Sequence, residues 1–296
     1  MIYDPTNCTL CPRACGTDRT QRPGVCGCGD TVRLAKVMEH YWEEPCLAPE
    51  GKPSGAVFFS GCPMKCVYCQ NAAISRGLKG HDVTVGKLAS IFTDIVSNGA
   101  ANIDLVTPTH FTPHIARAFG ISGKPPVPVI FNTSGYETVQ NVALAREFSD
   151  IWLCDMRYAD AEAAKKYSGA ADYPVYARSS LKTAVKAFGA PRFDGKLLKS
   201  GVIVRVLVLP RRVLEAKAII SYLAEEYGKD IIISVMGQYT PVSCDLPDGL
   251  SRRLTTREYE AVVDFAAGKD ICAYMQEKGS DDDCFIPDWN DPGFDI

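Results

Sequence analysis

From residue 55 onward, short apolar runs alternate with segments whose apolar residues recur every three or four positions. The run "GAVFFS" predicts a buried strand. "TVGKLASIFTDIVSNG" then places Leu88, Ile91, Phe92, Ile95 and Val96 at helical spacing and stops at Gly99. The alternation continues with strand "NIDLVT" and helix "TPHIARAFG", strand "PVPVIFN" and helix "TVQNVALAREF". Strand "DIWLCD" precedes the helical "DAEAAKKYS" and "YPVYARSSLKTAVKAFG". Strand "GVIVRVLVLP" precedes helix "VLEAKAIISYLAEEYG", and strand "DIIISVM" precedes helix "TTREYEAVVDFAAG". "ICAYMQ" predicts a last short strand.

Apolar strands alternating with amphipathic helices predict an α/β fold, a parallel sheet with right-handed crossovers. Six such units suit an open, partial barrel or a doubly wound sheet. In both, reactive groups belong at the C-terminal ends of the strands. Residues 1–53 sustain little periodicity and are rich in Cys, Pro, Gly and Arg. They predict an irregular extension ahead of one domain over residues 54–296, with no internal repeat, low-complexity tract or linker.

Composition narrows the function. The chain has 296 residues, 46% of them hydrophobic, enough for a large core, and a net charge of −3. That field gives no sign of a nucleic-acid or anionic-membrane partner. The start, "MIYDPTNCTLC", lacks a basic region followed by an apolar one, so no secretory signal is expected. The most apolar strip is short and interrupted by Arg205, so no membrane span is expected either. The expected compartment is the cytoplasm, where thirteen cysteines do not read as a disulfide framework. Nine of them lie before residue 70, and clustering at short spacing is the mark of metal ligation.

Cys62, Cys66 and Cys69 follow the first strand at C-x3-C-x2-C spacing. Thiolates so spaced can wrap one iron–sulfur cluster. A four-iron cube held by three thiolates keeps one iron open, and an open coordination site marks a catalytic rather than a structural centre. The competing reading is a zinc knuckle with a distant fourth ligand. A second set, Cys8, Cys11, Cys15 and Cys26, follows C-x2-C-x3-C-x10-C, with Cys28 and Cys46 nearby in sequence. Four ligands in a poorly periodic segment suggest a closed metal site that organises it. A second iron–sulfur cluster and zinc are both chemically reasonable there. Cys244, Cys272 and Cys284 are isolated, and the acidic tail "DDDCFIPDWNDPGFDI" carries interspersed aromatics.

The C-x3-C-x2-C motif after the first strand, with Tyr68 before its third cysteine, resembles the signature of the radical S-adenosylmethionine (SAM) superfamily. "GAVFFSGCPMKCVYCQNAAIS", "HYWEEPC", "IDLVTPTHF", "VPVIFNTSGYE", "VRVLVLP" and "SVMGQYTP" resemble uncharacterised iron–sulfur proteins related to pyruvate formate-lyase activating enzymes. The resemblance runs along nearly the whole chain. It implies a partial (β/α)6 barrel of TIM type, with the Cys-rich extension before it. It implies a [4Fe–4S] cluster whose open iron binds the amino group and carboxylate of SAM. One electron then cleaves the sulfonium C–S bond, giving methionine and a 5′-deoxyadenosyl radical that abstracts hydrogen from a substrate. It further implies oxygen-free, anaerobic chemistry, a flavodoxin- or ferredoxin-type reductant and a protein, peptide or small-molecule substrate. Activation of a glycyl radical enzyme is one version. The alternative from another class is an iron–sulfur carrier or scaffold that does not cleave SAM.

The same resemblance suggests cofactor contacts. Thr107-Pro108-Thr109-His110 stands where relatives often carry Gly-Gly-Glu, whose backbone meets the SAM amino group; here the hydroxyls and His110 are further candidates. Asn132-Thr133-Ser134 stands where relatives use Asp-Thr to hold a monovalent cation. Asp155 and Arg157 match an Asp-x-Lys pair, and a guanidinium can grip the SAM carboxylate with two parallel bonds. Arg205, a charge inside an apolar run, needs a partner, which SAM or substrate at the barrel mouth would supply.

Overall fold

A computed structural model of the chain describes residues 3–276 and 287–293. Ten strands and eight α-helices build it. The strands are β1 (Val32–His40), β2 (Ser54–Phe59), β3 (His81–Val83), β4 (Asn102–Val106), β5 (Val129–Thr133), β6 (Ile151–Asp155), β7 (Arg192–Asp194), β8 (Leu197–Leu207), β9 (Ile232–Met236) and β10 (Cys272–Met275). The helices are α1 (Ala72–Ser75), α2 (Val85–Ser97), α3 (Thr112–Ser122), α4 (Val139–Arg146), α5 (Ala161–Ser168), α6 (Tyr173–Phe188), α7 (Val213–Tyr227) and α8 (Thr256–Ala267).

The sheet runs β10-β9-β8-β6-β5-β4-β2-β1-β3, with β7 paired to β8 as a hairpin. From β2 to β10 the strands are parallel, and each lies beside the next one in chain order. A doubly wound sheet would reverse that order at a switch point. This one never does, so the winding is that of a barrel. Among the described residues β2 and β10 do not pair, and the barrel stays open. Six β/α units and a final strand result, as the alternation of patterns predicts.

Period two along the strands sorts their side chains. Val57, Phe59, Ile103, Leu105, Phe131, Trp152, Val204 and Ile233 face the helices and join Leu88, Ile91, Phe92 and Ile115 in the main core. Ile130, Ile151, Leu153, Ile203 and Ile232 face inward and close one end of the barrel around Cys46 and Leu47. Leu47 is pinned there by Asn102, whose Nδ2 donates to its carbonyl at 2.7 Å. Helix starts follow local chemistry: Thr84, Thr138, Asp160 and Thr255 each accept a backbone N–H as N-caps, and Thr255 with Glu258 forms a capping box.

One difference from the sequence reading concerns the start of the chain. Residues 1–53 are not irregular throughout: β1 is a nine-residue strand, antiparallel to β2, and so belongs to the barrel's own sheet. A bulge between Leu34 and Lys36 breaks its alternation, which hides the strand in the sequence. Residues 287–293 lie along β1: Val37 N–H donates to Pro292 O at 3.0 Å, and buried Lys36 donates to Asp288 O and Asp291 O. Trp289 meets Phe58 edge to face at 5.3 Å, on the inward side of β2. Cys284 and the rest of the tail lie outside the described residues.

Candidate functional site

Cys62, Cys66 and Cys69 sit in the loop after β2, at the C-terminal edge of the parallel strands. Cys66 is buried, while Cys62 and Cys69 are partly exposed. Each sulfur faces a donor: Met64 N–H at 3.4 Å from Cys62, Ser75 Oγ at 3.5 Å from Cys69, and Ser168 Oγ at 3.0 Å from Cys66. Arg157 Nη1 adds a charge 3.8 Å from Cys66 Sγ. Burial, and then the neighbouring Cys66, push the Cys62 thiol up to about 12. Three cysteine sulfurs in one loop, ringed by donors suited to thiolates, fit an iron–sulfur group.

The extension presses on this loop. Cys62 N–H donates to Cys26 O at 3.1 Å. Gly61 has φ +82°, and a Cβ there would lie 2.5 Å from Cys28 Sγ, so only glycine lets the two segments meet. Arg13 spans the gap, donating to Pro63 O at 2.8 Å, Ser168 O at 2.7 Å and Gly169 O at 2.5 Å. Cys8, Cys11, Cys15 and Cys26 lie within electrostatic reach of one another, and Gly24 sits between Cys15 and Cys26. Cys28 pairs with Cys26 and approaches Ser60 O at 3.2 Å, whereas Cys46 lies in the apolar cluster closing the barrel, away from both sets. Among the described residues no three His, Cys, Asp or Glu side chains gather around one point as the ligands of a single ion would.

Inside the barrel a polar layer lies above the apolar floor. Asp155 and Arg157 form an ion pair at the end of β6, both partly exposed. Arg157 Nε is buried without a partner, leaving a donor for a ligand. Asn132 Nδ2 donates to Asp104 Oδ2 at 3.1 Å. Asp104 is fully buried and its Oδ1 has no partner; burial, then Glu43 beside it, hold its carboxyl well above the usual range. Thr107, at the end of β4, has φ +60°, a conformation costly for a β-branched residue and usual for glycine. Its N–H donates to Asn132 O at 2.8 Å, which ties the ends of β4 and β5 together. Gly135 has φ +77°, and a Cβ there would lie 2.4 Å from the Asp155 carbonyl oxygen, so the turn after β5 requires glycine.

Several of the candidate contact residues have partners within the chain. The hydroxyls of Thr109 and Thr133 both donate, at 2.5 Å, to Glu137 Oε1, and Asn141 Nδ2 donates to Oε2 at 2.8 Å. Both hydroxyl protons are thereby engaged by Glu137. His110 is buried, and its Nε2–H donates to Ser60 O at 2.7 Å, bracing the strand end before the cysteine loop. Burial lowers its pKa, so it is neutral. Tyr68 is likewise turned into the protein, its hydroxyl 2.8 Å from that of Tyr158. Ser134 offers its carbonyl to Tyr173 OH at 2.9 Å. Arg205 finds its partners within the chain: Glu43, and Glu44 through two bonds. Glu43 and Glu44, in "HYWEEPC", and Glu137, in "VPVIFNTSGYE", lie in stretches quoted for the resemblance, but the sequence reading assigns them no role.

No family model matches the chain. It is 26% identical over 273 residues to the uncharacterized protein MJ0674 of Methanocaldococcus jannaschii, covering 88% of this chain and 74% of that one. Among solved structures, it is similar to SuiB of Streptococcus suis bound to S-adenosylmethionine, with a TM-score of 0.47 and 10% identity over 74% of this chain and 49% of that one. It is also similar to anSMEcpe with bound AdoMet and a Kp18Cys peptide, with a TM-score of 0.49 and 11% identity over 72% and 60%. The chain thus spans about half to three-fifths of these two solved chains. No helix among the described residues is long and apolar enough to cross a membrane.

Proposed function

We propose that this protein is a radical SAM enzyme, with Cys62, Cys66 and Cys69 as the ligands of a [4Fe–4S] cluster. The observation that carries the reading is the placing of three thiols, two of them partly exposed, at the edge of the parallel strands beside Arg157 and the polar layer. The cluster with SAM would supply reductive C–S cleavage and a carbon radical able to take hydrogen from a substrate.

The chain's own residues bind and shield. Arg157, with one unpartnered nitrogen, grips the SAM carboxylate, and Asp155 fixes the guanidinium. The backbone at Thr107, strained into position, and the amide of Asn132 line the adjoining strand ends. Phe58 with Trp289 covers the inner side of β2 and excludes water. Cys8, Cys11, Cys15 and Cys26 form a second site for iron–sulfur or zinc, which helps to order the irregular residues ahead of β1. The substrate class is a protein, peptide or small molecule, the reductant a low-potential one-electron carrier, and the compartment cytoplasmic.

Anaerobic reconstitution followed by dithionite and SAM tests the reading. Formation of 5′-deoxyadenosine is expected, and its absence with and without candidate substrates would overturn it. Metal counts on the Cys62→Ala/Cys66→Ala/Cys69→Ala protein decide the second site: residual iron means a cluster, residual zinc a structural ion.

A further inference from the structure

We propose that Ser168 sets the electronic environment of Cys66 and that Arg13, from the N-terminal extension, holds Ser168 in place. The inference rests on the cluster reading above and assigns a positioning role to residues outside the cysteine motif. Ser168 ends α5 and is buried. Its hydroxyl lies 3.0 Å from Cys66 Sγ and 2.7 Å from Tyr158 OH, which in turn lies 2.8 Å from Tyr68 OH.

The end of this chain fixes its direction. A ligating thiolate can only accept, so Ser168 donates to it; the Ser168 oxygen then accepts from Tyr158, and Tyr158 accepts from Tyr68. Three buried hydroxyls therefore point one way, each polarising the next, toward a single sulfur in a low-dielectric setting. Cys62 and Cys69 have no such hydroxyl relay among the described residues: Cys62 faces the backbone of Met64 and Lys65, and Cys69 faces the backbone of Asn71 and Ser75 Oγ at 3.5 Å.

Hydrogen bonds to cluster sulfurs are one of the levers on reduction potential. An added electron increases the negative charge on the sulfurs, so a donor favours the reduced form and raises the potential. Arg13 couples the lever to the extension. Lying between Cys11 and Cys15, it bonds the carbonyls of Ser168 and Gly169 just past α5, and that of Pro63 in the cysteine loop. Its one planar group clamps both ends of the Ser168–Cys66 contact.

The test is a redox titration of reconstituted protein, following the EPR signal that changes when SAM is added, after iron has been counted. Ser168→Ala should lower the reduction equilibrium about tenfold, ~59 mV for one electron. Ser168→Thr, which keeps the hydroxyl, should stay near the wild type. Tyr158→Phe and Arg13→Ala should shift the same way by less, and they serve if Ser168→Ala does not fold. A wild-type potential in Ser168→Ala with full iron, or an equal shift in Ser168→Thr, would overturn the inference alone. Failure of the wild-type protein to take up iron at Cys62, Cys66 and Cys69 would overturn the cluster reading and this inference with it.

Discussion

Arg205 and Glu44 meet inside the barrel through two parallel hydrogen bonds, Nε to Oε1 at 2.7 Å and Nη2 to Oε2 at 2.6 Å. Glu43 approaches the same guanidinium. Burial alone would disfavour the charged arginine, and the two glutamates reverse that, holding its pKa well above the ordinary value. Removing one partner leaves uncompensated buried charge. Arg205→Met is therefore expected to cost ~3–5 kcal/mol in urea unfolding. Replacing the group together, as Arg205→Met with Glu43→Gln and Glu44→Gln, should recover most of that loss, since no net charge remains stranded.

Glu137 predicts a pH dependence. Burial raises its carboxyl from the ordinary 4.5 to about 7, against the three donors that lower it. The folded state thus holds a proton that the unfolded chain releases. Its contribution to stability is complete below pH 4.5, falls between pH 4.5 and 7, and is flat above; the fall amounts to about 3 kcal/mol. Glu137→Gln should abolish this slope, because Asn141 can turn its unpartnered Oδ1 toward the new amide. Thermal melts of both proteins from pH 5 to 8 check it.

Arg157→Lys should weaken SAM binding about tenfold, since the one unpartnered nitrogen, Nε, is removed and with it one charge-assisted bond to the carboxylate. Calorimetric titration of the reconstituted protein measures this. An unchanged affinity would remove Arg157 from the cofactor site.

Thr107 offers a test of stored strain. A β-branched residue at φ +60° costs ~1–3 kcal/mol, while glycine costs the unfolded-chain entropy of ~0.5–1 kcal/mol. Thr107→Gly should therefore raise stability by up to ~2 kcal/mol, and Thr107→Ala should not. A destabilised Thr107→Gly in chemical unfolding would show that the threonine side chain, not the turn, is what the site needs.

The order of strands and helices was legible because apolar periodicity is a local property of each segment. Leu88, Ile91 and Phe92 announce α2 without reference to anything else. β1 was not legible, because the bulge at Leu34–Lys36 breaks the alternation that would have announced it. The cysteine motif was equally plain. The shared acceptor of Thr109 and Thr133 was not: Glu137 lies four positions from Thr133 but 28 from Thr109, and the second contact exists only when β4 and β5 are side by side.

By itself, the sequence determined the α/β alternation, the three-cysteine loop after β2 and the second cysteine set ahead of it. Each is written in spacings of a few residues. Tertiary structure alone decided that the strands wind in one direction without a switch, that Arg205 turns to glutamates 161 and 162 positions away, and that Ser168 reaches Cys66 across 102. Spacing along a chain sets what one element can do. Which buried charge or hydroxyl meets which partner is settled by the cost of leaving either one unmatched when distant elements close on each other.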